Sequence, residues 1–289
     1  MSMKKVLVTG ATGFVGRYVV KELLSRGYEI IATSANHDNA RLMEWYQSVR
    51  YIPLDFSELN EKTNYYLFFE APDLLIHLAW EGLPDYKADF HITRNLPRHK
   101  LFLQNMLENG LGNLTISGTC LEYGLKEGKL SEEMSEEPVV PYARAKNELR
   151  VFVNSLWKTS VPDFKWMRLF YMYGKGQNPK SLLSQLQKAI DNNEKIFNMS
   201  GGEQTRDFLP VEKVAEYIVA TALQDEVTGI INCCSGVPIT IKELVEDYLS
   251  KQNKKINLNL GYYPYPDYEP MHFWGDIKKL SAILKLKIV

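Results

Sequence analysis

Residues 6–16 read V-L-V-T-G-A-T-G-F-V-G, and few folds accommodate that string. Val6, Leu7 and Val8 predict a buried strand, and Gly10, Gly13 and Gly16 follow at the spacing G-x-x-G-x-x-G before a helix. A turn of this kind lets the backbone lie against a pyrophosphate, whose charge faces the amides at the N-terminus of the next helix. About 130 residues later comes Y-A-R-A-K, which places the Tyr142 phenol and the Lys146 ammonium four residues apart. On a helix such a pair shares one face. An ammonium near a phenol favours the phenolate and lets a tyrosine exchange protons near neutral pH. In this order the two motifs point to nicotinamide-dependent chemistry.

Bulk properties narrow the class. A chain of 289 residues has room for two lobes. With 45% hydrophobic and 24% charged residues it reads as globular. A net charge of −1 argues against a nucleic-acid partner, which needs a basic surface. No apolar run approaches the roughly 20 residues of a bilayer span, so no membrane partner is expected. The first strand begins almost at once, which leaves no signal peptide and makes the cytoplasm the expected compartment. Three cysteines, two of them adjacent at 233 and 234, make no disulfide framework, and no metal is expected.

Strand-like and helix-like segments alternate through residue 170. Strands are expected at Lys5–Val8, Glu29–Thr33, Tyr51–Leu54, Leu74–Ala79, Leu114–Ser117 and Phe164–Phe170, with helices at 13–26, 91–109 and 141–157. Continuous apolar strands separated by helices predict an α/β fold, a doubly wound parallel sheet covered on both faces, with the ligand at the carboxyl ends of the strands. Beyond residue 170 come a loop at 171–179, a helix at about 180–192, a strand at Ile230–Cys233, a helix at Ile241–Lys251 and a Tyr/Pro-rich loop at 261–275. The expected division is a dinucleotide-binding domain over 1–170 plus about 203–235, and an interleaved substrate lobe over about 171–202 and 236–289.

Taken with I-H-L-A at 76–79, S-G-T at 117–119, P-Y-A-R-A-K at 141–146, Y-G-K-G-Q-N-P at 173–179, Q-T-R-D-F-L-P-V at 204–211 and N-C-C-S-G at 232–236, the chain resembles the extended short-chain dehydrogenase/reductases. Within them it is similar to the nucleotide-sugar epimerases, dehydratases and 4-keto reductases. The resemblance implies a Rossmann fold and a homodimer built on the helices at 91–109 and 141–157. Leu96, Leu103, Leu149 and Phe152 are candidates for that interface, or else face their own sheet.

It also implies roles. Tyr142 would be the acid/base, Lys146 would hold the nicotinamide ribose and lower the phenol's pKa, and Thr119 would bind the reacting oxygen. Gly10, Thr12, Gly13, Phe14, Val15, Leu78, Ala79 and Asn95 would contact the cofactor, as would Asp55 and Phe56 after the third strand. Asp55 and Asn95 read equally as a loop carboxylate and a polar helix residue. Gln177, Asn178 and Arg206 would bind substrate, Arg206 by gripping the diphosphate or else by pairing with Asp207. Where NAD-selecting relatives carry an acid, this chain has Thr33 and Ser34, followed by Ala35, Asn36 and His37, with Arg41 beyond. Removing a carboxylate removes repulsion against a 2′-phosphate, so NADP is favoured over NAD.

Departures from the family pattern carry information too. Cys120 and Leu121 stand where dehydratases have Asp-Glu, so dehydration is not expected, and Glu122 would point elsewhere. Tyr171 replaces a usual asparagine, and a second diphosphate-binding arginine is missing before Asp276. Tyr262, Tyr263, Tyr265 and Tyr268 either stack on a base or pack the lobe. The expected activity is NADPH-dependent reduction of a nucleotide-linked 4-keto-6-deoxyhexose. The alternatives are a 4-epimerase with tightly bound NAD and a non-catalytic cofactor sensor.

Overall fold

Seven parallel strands make the central sheet of the computed structural model, which describes residues 4–156 and 164–286. They are β1 (Lys5–Thr9), β2 (Glu29–Thr33), β3 (Arg50–Tyr51), β4 (Leu74–His77), β5 (Leu114–Thr119), β6 (Phe164–Leu169) and β7 (Gly229–Cys233), in the order β7-β6-β5-β4-β1-β2-β3. Alternate residues face opposite layers. Val6 and Val8 pack under helices α1 (Gly16–Ser25) and α5 (Val211–Ala222), while Leu7, Leu75 and Ile116 pack under α2 (Leu96–Glu108) and α3 (Pro141–Leu156). Both faces are therefore dry, which is why these strands are apolar at almost every position. The chain moves outward from β1 to β3 on one side and from β4 to β7 on the other. That reversal opens a crevice at the carboxyl ends of β1 and β4.

Element boundaries shift for identifiable reasons. The third strand is regular over two residues only, although the Ile52 and Leu54 amides still donate to Ala32 O of β2 and Ser34 O just after it, and Pro53 between them sits on the open side of this edge strand. The fourth ends at His77 because the amides of Leu78 and Ala79 turn toward the Thr9 hydroxyl, at 3.2 and 3.3 Å. Pro97 cannot donate into the helix ladder, and the long helix opens with a π turn over His91–Asn95 before becoming regular. Residue 157, the expected end of α3, lies outside the described residues. Leu96, Leu103 and Leu149 are buried in the apolar layer against the sheet, which removes them as dimer contacts, and only Phe152 stays partly exposed.

A second cluster, with Leu183, Leu186, Phe197, Val245 and Leu249, gathers α4 (Leu182–Asp191) and α6 (Ile241–Lys251). Thr240 and Glu243 close a reciprocal cap at the start of α6. Strands Pro238–Thr240, Thr205–Pro210 and Tyr171–Tyr173 form a small sheet beside it. All three cysteines are free and buried. Among the described residues no helix is long and apolar enough to cross a membrane.

Two buried polar pairs stiffen the main sheet. Glu122, after β5, meets Arg168 Nε at 2.8 Å with both side chains fully buried, and also accepts from Trp166 Nε1 and the Thr119 amide. His77 Nε2 lies 2.8 Å from His99 Nδ1, joining β4 to α2. Burial pushes His77 down to about 3, helped by the Lys146 charge. Burial also takes His99 well below its usual value, with His77, Lys146 and Arg98 adding to it.

Breaking the ion pair strands a buried carboxylate, so Arg168→Met should lower the unfolding free energy by about 3–5 kcal/mol; a urea titration showing a loss under about 1 kcal/mol would contradict this. For the histidines, the unfolded chain binds protons near 6.5 and the folded one does not. Their contribution is therefore complete above pH 6.5 and is lost as pH falls below it. Unfolding free energy should decline between pH 6.5 and 5 by up to about 1.4 kcal/mol per pH unit for each histidine, and His99→Phe should flatten that slope. Equal slopes in the two proteins would contradict the assignment.

Candidate active site

At the crevice the backbone of β1 turns against that of β4. Gly10 has φ of 68°, and a Cβ there would stand 2.8 Å from the Ala79 amide nitrogen. A Cβ on Gly16 would strike the Gly10 carbonyl. Only glycine permits this fold-back. The Gly13 amide is used on Gly10 O at 2.9 Å. Among the described residues no group accepts from the amides of Thr12, Phe14 and Val15. Unpaired amides at the start of α1 make an anion cradle. This backbone fits the pyrophosphate of a dinucleotide.

Two cavities share Gly10, Gly13, Leu78 and Trp80 in their walls. The smaller, about 210 Å³, is lined also by Thr12, Thr33, Ser34, Phe56, Ala79, Glu81 and His99. Thr33 is buried and its hydroxyl has no partner. Two of the other donors expected here are already engaged: Ser34 Oγ pairs with Tyr51 Oη and His37 Nε2 with Tyr46 Oη, both at 2.9 Å. Asn36 caps the short helix His37–Arg41 by accepting from the Asn39 amide through its side-chain oxygen. No lysine or arginine lines this cavity, and Arg41 is exposed. Asp55 stands outside the wall, where its carboxylate accepts from the Ser57 amide at 2.7 Å. Asn95 is buried outside it as well, donating to Glu81 O at 3.0 Å.

The larger cavity, about 460 Å³, brings together Thr119, Tyr142 and Lys146 with Phe14, Val15, Gln177 and Asn178. Lys146 is 1% exposed and donates to Ser117 O at 2.8 Å, with Nζ 4.2 Å from the Trp80 ring centre. Burial draws its ammonium down to about 7 against the opposing pull of Glu122. Tyr142 moves the other way. Burial raises its phenol far above the ordinary value, Tyr86, Glu122 and Cys120 add to this, and the Thr119 hydroxyl opposes it. The expected lowering of the phenol by Lys146 is thus not found, because the lysine is turned to Ser117 and Trp80. Burial likewise raises the Cys120 thiol, and Glu122 is committed to Arg168.

The substrate wall departs from expectation at Arg206. Its guanidinium is buried, meets Glu269 Oε2 at 2.9 Å, donates to Thr205 O and Met271 O, and lies 4.5 Å from the Phe273 ring centre. Neither a free phosphate grip nor the alternative pair with Asp207 is present. Asp207 instead accepts from Ser235, Gly236 and Gly275. Gln177 donates to Met172 O, and Asn178 accepts from the Lys180 amide. Tyr171 lines the cavity with its hydroxyl unpartnered. Of the loop tyrosines only Tyr268 approaches the site, 6.1 Å from Tyr86; Tyr262 and Tyr263 are exposed, and Tyr265 bonds Glu203.

Sequence reasoning missed Trp80, Tyr86, His99 and Glu269. The first two follow β4 in W-E-G-L-P-D-Y, a Gly/Pro loop leaving the carboxyl end of a central strand, and that position was their available signal. A shallow depression of about 900 Å³ lined by Lys195, Lys242 and Lys254 shares no wall with these cavities.

Comparison with known proteins agrees with this geometry. A model of the NAD dependent epimerase/dehydratase family matches residues 6–234. The chain is 30% identical over 271 residues to dTDP-6-deoxy-L-talose 4-dehydrogenase (NAD(+)) of Aggregatibacter actinomycetemcomitans, covering 93% of this chain and 98% of that protein. It is 23% identical to dTDP-4-dehydro-6-deoxyglucose reductase of Escherichia coli, covering 86% and 82%. Among solved structures, UDP-glucuronic acid 4-epimerase from Bacillus cereus, in complex with UDP-glucuronic acid and NAD, superposes with a TM-score of 0.82 at 23% identity, covering 99% of this chain and 94% of that one. That last likeness speaks to the fold alone. With its glycine cradle, doubly wound sheet and Tyr142–Lys146 pair on one helix, the chain belongs to the NAD dependent epimerase/dehydratase family.

Proposed function

We propose that this protein is an oxidoreductase acting at C4 of a nucleotide-linked 6-deoxyhexose, interconverting the 4-keto and 4-hydroxy forms and reading most naturally as a reductase. The observation that carries this is the convergence of Thr119, Tyr142 and Lys146 in one wall with the glycine cradle. A bound nicotinamide supplies or accepts the hydride. Tyr142 gives its proton to the oxygen forming at C4, as the general acid of the site. Thr119, beside it, would align that oxygen, and Lys146, now on Ser117 O, would hold the cofactor ribose. Leu83, Pro84 and Tyr86 offer a largely apolar wall, compatible with a deoxygenated sugar carbon. The dehydrogenase and reductase named in the relatives support the same position and sugar class. Dehydration has no base at Cys120 or Leu121, which supports leaving the sugar's carbon–oxygen bonds intact.

Cofactor choice turns on the smaller cavity. The missing acid after β2 removes repulsion against a 2′-phosphate, but no lysine or arginine lines the wall to balance its charge. A 2′-phosphate buried against neutral groups lacks compensation. We therefore read the site as one for NAD(H), the cofactor printed in the name of the similar talose dehydrogenase. A homodimer stays part of this proposal, through surfaces other than the three buried leucines.

Tyr142→Phe should fold and bind cofactor yet lose at least about 100-fold in kcat, and a variant keeping more than a tenth of wild-type turnover would exclude the phenol as proton donor. With a 4-keto-6-deoxy sugar nucleotide, kcat/KM should be higher for NADH than for NADPH, and Thr33→Asp should widen the gap by about tenfold or more through repulsion of the 2′-phosphate. Higher kcat/KM with NADPH in the wild type would restore the NADP reading. One NADH should be consumed per sugar reduced; interconversion of two fully hydroxylated sugars with no absorbance change would favour an epimerase.

A further inference from the structure

A line of polar groups runs beneath the smaller cavity, and its proton positions can be assigned. Thr9 Oγ1 accepts from the amides of Leu78 and Ala79 at 3.2 and 3.3 Å. A hydroxyl has two lone pairs and one proton, so what remains to Thr9 is its proton, and His77 Nδ1 stands 2.8 Å away to take it. A neutral imidazole that accepts at Nδ1 carries its hydrogen on Nε2. His77 Nε2–H then donates to His99 Nδ1 at 2.8 Å, which leaves His99 with its own hydrogen on Nε2. The reverse arrangement would bring a third donor onto Thr9 Oγ1 and leave the hydroxyl proton without an acceptor.

The last ring of this line is held still. His99 stacks on Trp80 with centroids 4.6 Å apart and an 18° interplanar angle, and meets Phe56 at 4.9 Å on the other side. It is 3% exposed and forms part of the wall beside Gly10, Gly13 and Thr33. Among the described residues no group accepts its Nε2–H. A donor fixed in the cavity wall with no protein acceptor is placed to meet an acceptor on a ligand that fills the cavity. A dinucleotide offers acceptors there in its ribose hydroxyls and pyrophosphate oxygens.

We propose that His99 is a cofactor-binding residue whose Nε2–H donates to an oxygen of the dinucleotide's ribose–pyrophosphate backbone, with Thr9 and His77 as positioning residues that set its tautomer. This rests on the reading that a dinucleotide occupies the cradle. A fixed neutral donor also suits a site whose other contacts are backbone amides. The binding is therefore carried by directed hydrogen bonds rather than by a cation.

Long-range proton–nitrogen NMR of the cofactor-free protein should find both imidazoles as Nε2–H tautomers, and NAD+ should shift the His99 Nε2 resonance. Calorimetry should show NAD+ binding weakened about five- to tenfold in His99→Phe. Binding should stay within about threefold of wild type in His99→Gln, whose amide N–H reaches the position of Nε2. A matching loss with AMP places the acceptor in the adenosine half, whereas a loss seen only with ADP-ribose and NAD+ places it on the pyrophosphate or the second ribose. An Nδ1–H tautomer at His99, or unchanged NAD+ affinity in His99→Phe, overturns the proposal while leaving the function reading intact. The NMR assignment on wild-type protein decides the matter even if the phenylalanine variant fails to fold. A wild-type protein that binds no dinucleotide overturns both.

Discussion

The contact between the ends of β1 and β4 is the constraint on which the site depends. Gly10 leaves β1 with a positive φ and lies against the Ala79 backbone too closely for any side chain. One residue earlier, the Thr9 hydroxyl gathers the Leu78 and Ala79 amides and reaches His77. Together these end β4 at His77 and swing the following loop outward, so that Trp80 and Tyr86 face the cavity. Spread these two strands apart and the cradle, the histidine line and the Trp80 surface that faces Lys146 lose their common frame.

Electrostatics at the site follow from dryness. The groups that would exchange protons are removed from water, so Tyr142 keeps its proton and Lys146 holds its charge less firmly than a surface lysine. Their tuning comes from burial and from Glu122, which is itself locked onto Arg168 and Trp166. The same carboxylate thus serves the fold and sets the local field. On the substrate side Arg206 is balanced by Glu269. A diphosphate approaching this wall meets a neutral pair, and gripping it through Arg206 requires Glu269 to give way.

Much of this was legible in the sequence because backbone demands and periodicity are local. The glycine spacing at 10, 13 and 16, the unbroken apolar strands, and Tyr142 and Lys146 one helical turn apart each carry their structural meaning within a few residues. Pro97 was equally visible, yet its effect on the helix bound depended on how the first turns of that helix are bonded. What stayed hidden was contact between distant segments. Nothing near Arg206 announces Glu269, 63 residues away, nor does His77 announce His99. The reading of donors after β2 failed for the same reason, since Ser34 and His37 are taken by Tyr51 and Tyr46. Leu96, Leu103 and Leu149 were ambiguous because a helix stripe that covers a sheet looks like one that pairs with a second copy.

The central claim is that a hydride passes between a nicotinamide and C4 of the sugar in this cavity. Its most direct measurement uses NADH deuterated at C4 of the nicotinamide, in each of the two stereochemical positions, with a nucleotide-linked 4-keto-6-deoxyhexose, followed by mass and NMR analysis of the sugar. The account predicts one deuterium at sugar C4 from one of the two labelled cofactors and none from the other. A product carrying no deuterium from either cofactor, or carrying it at a carbon other than C4, would contradict it.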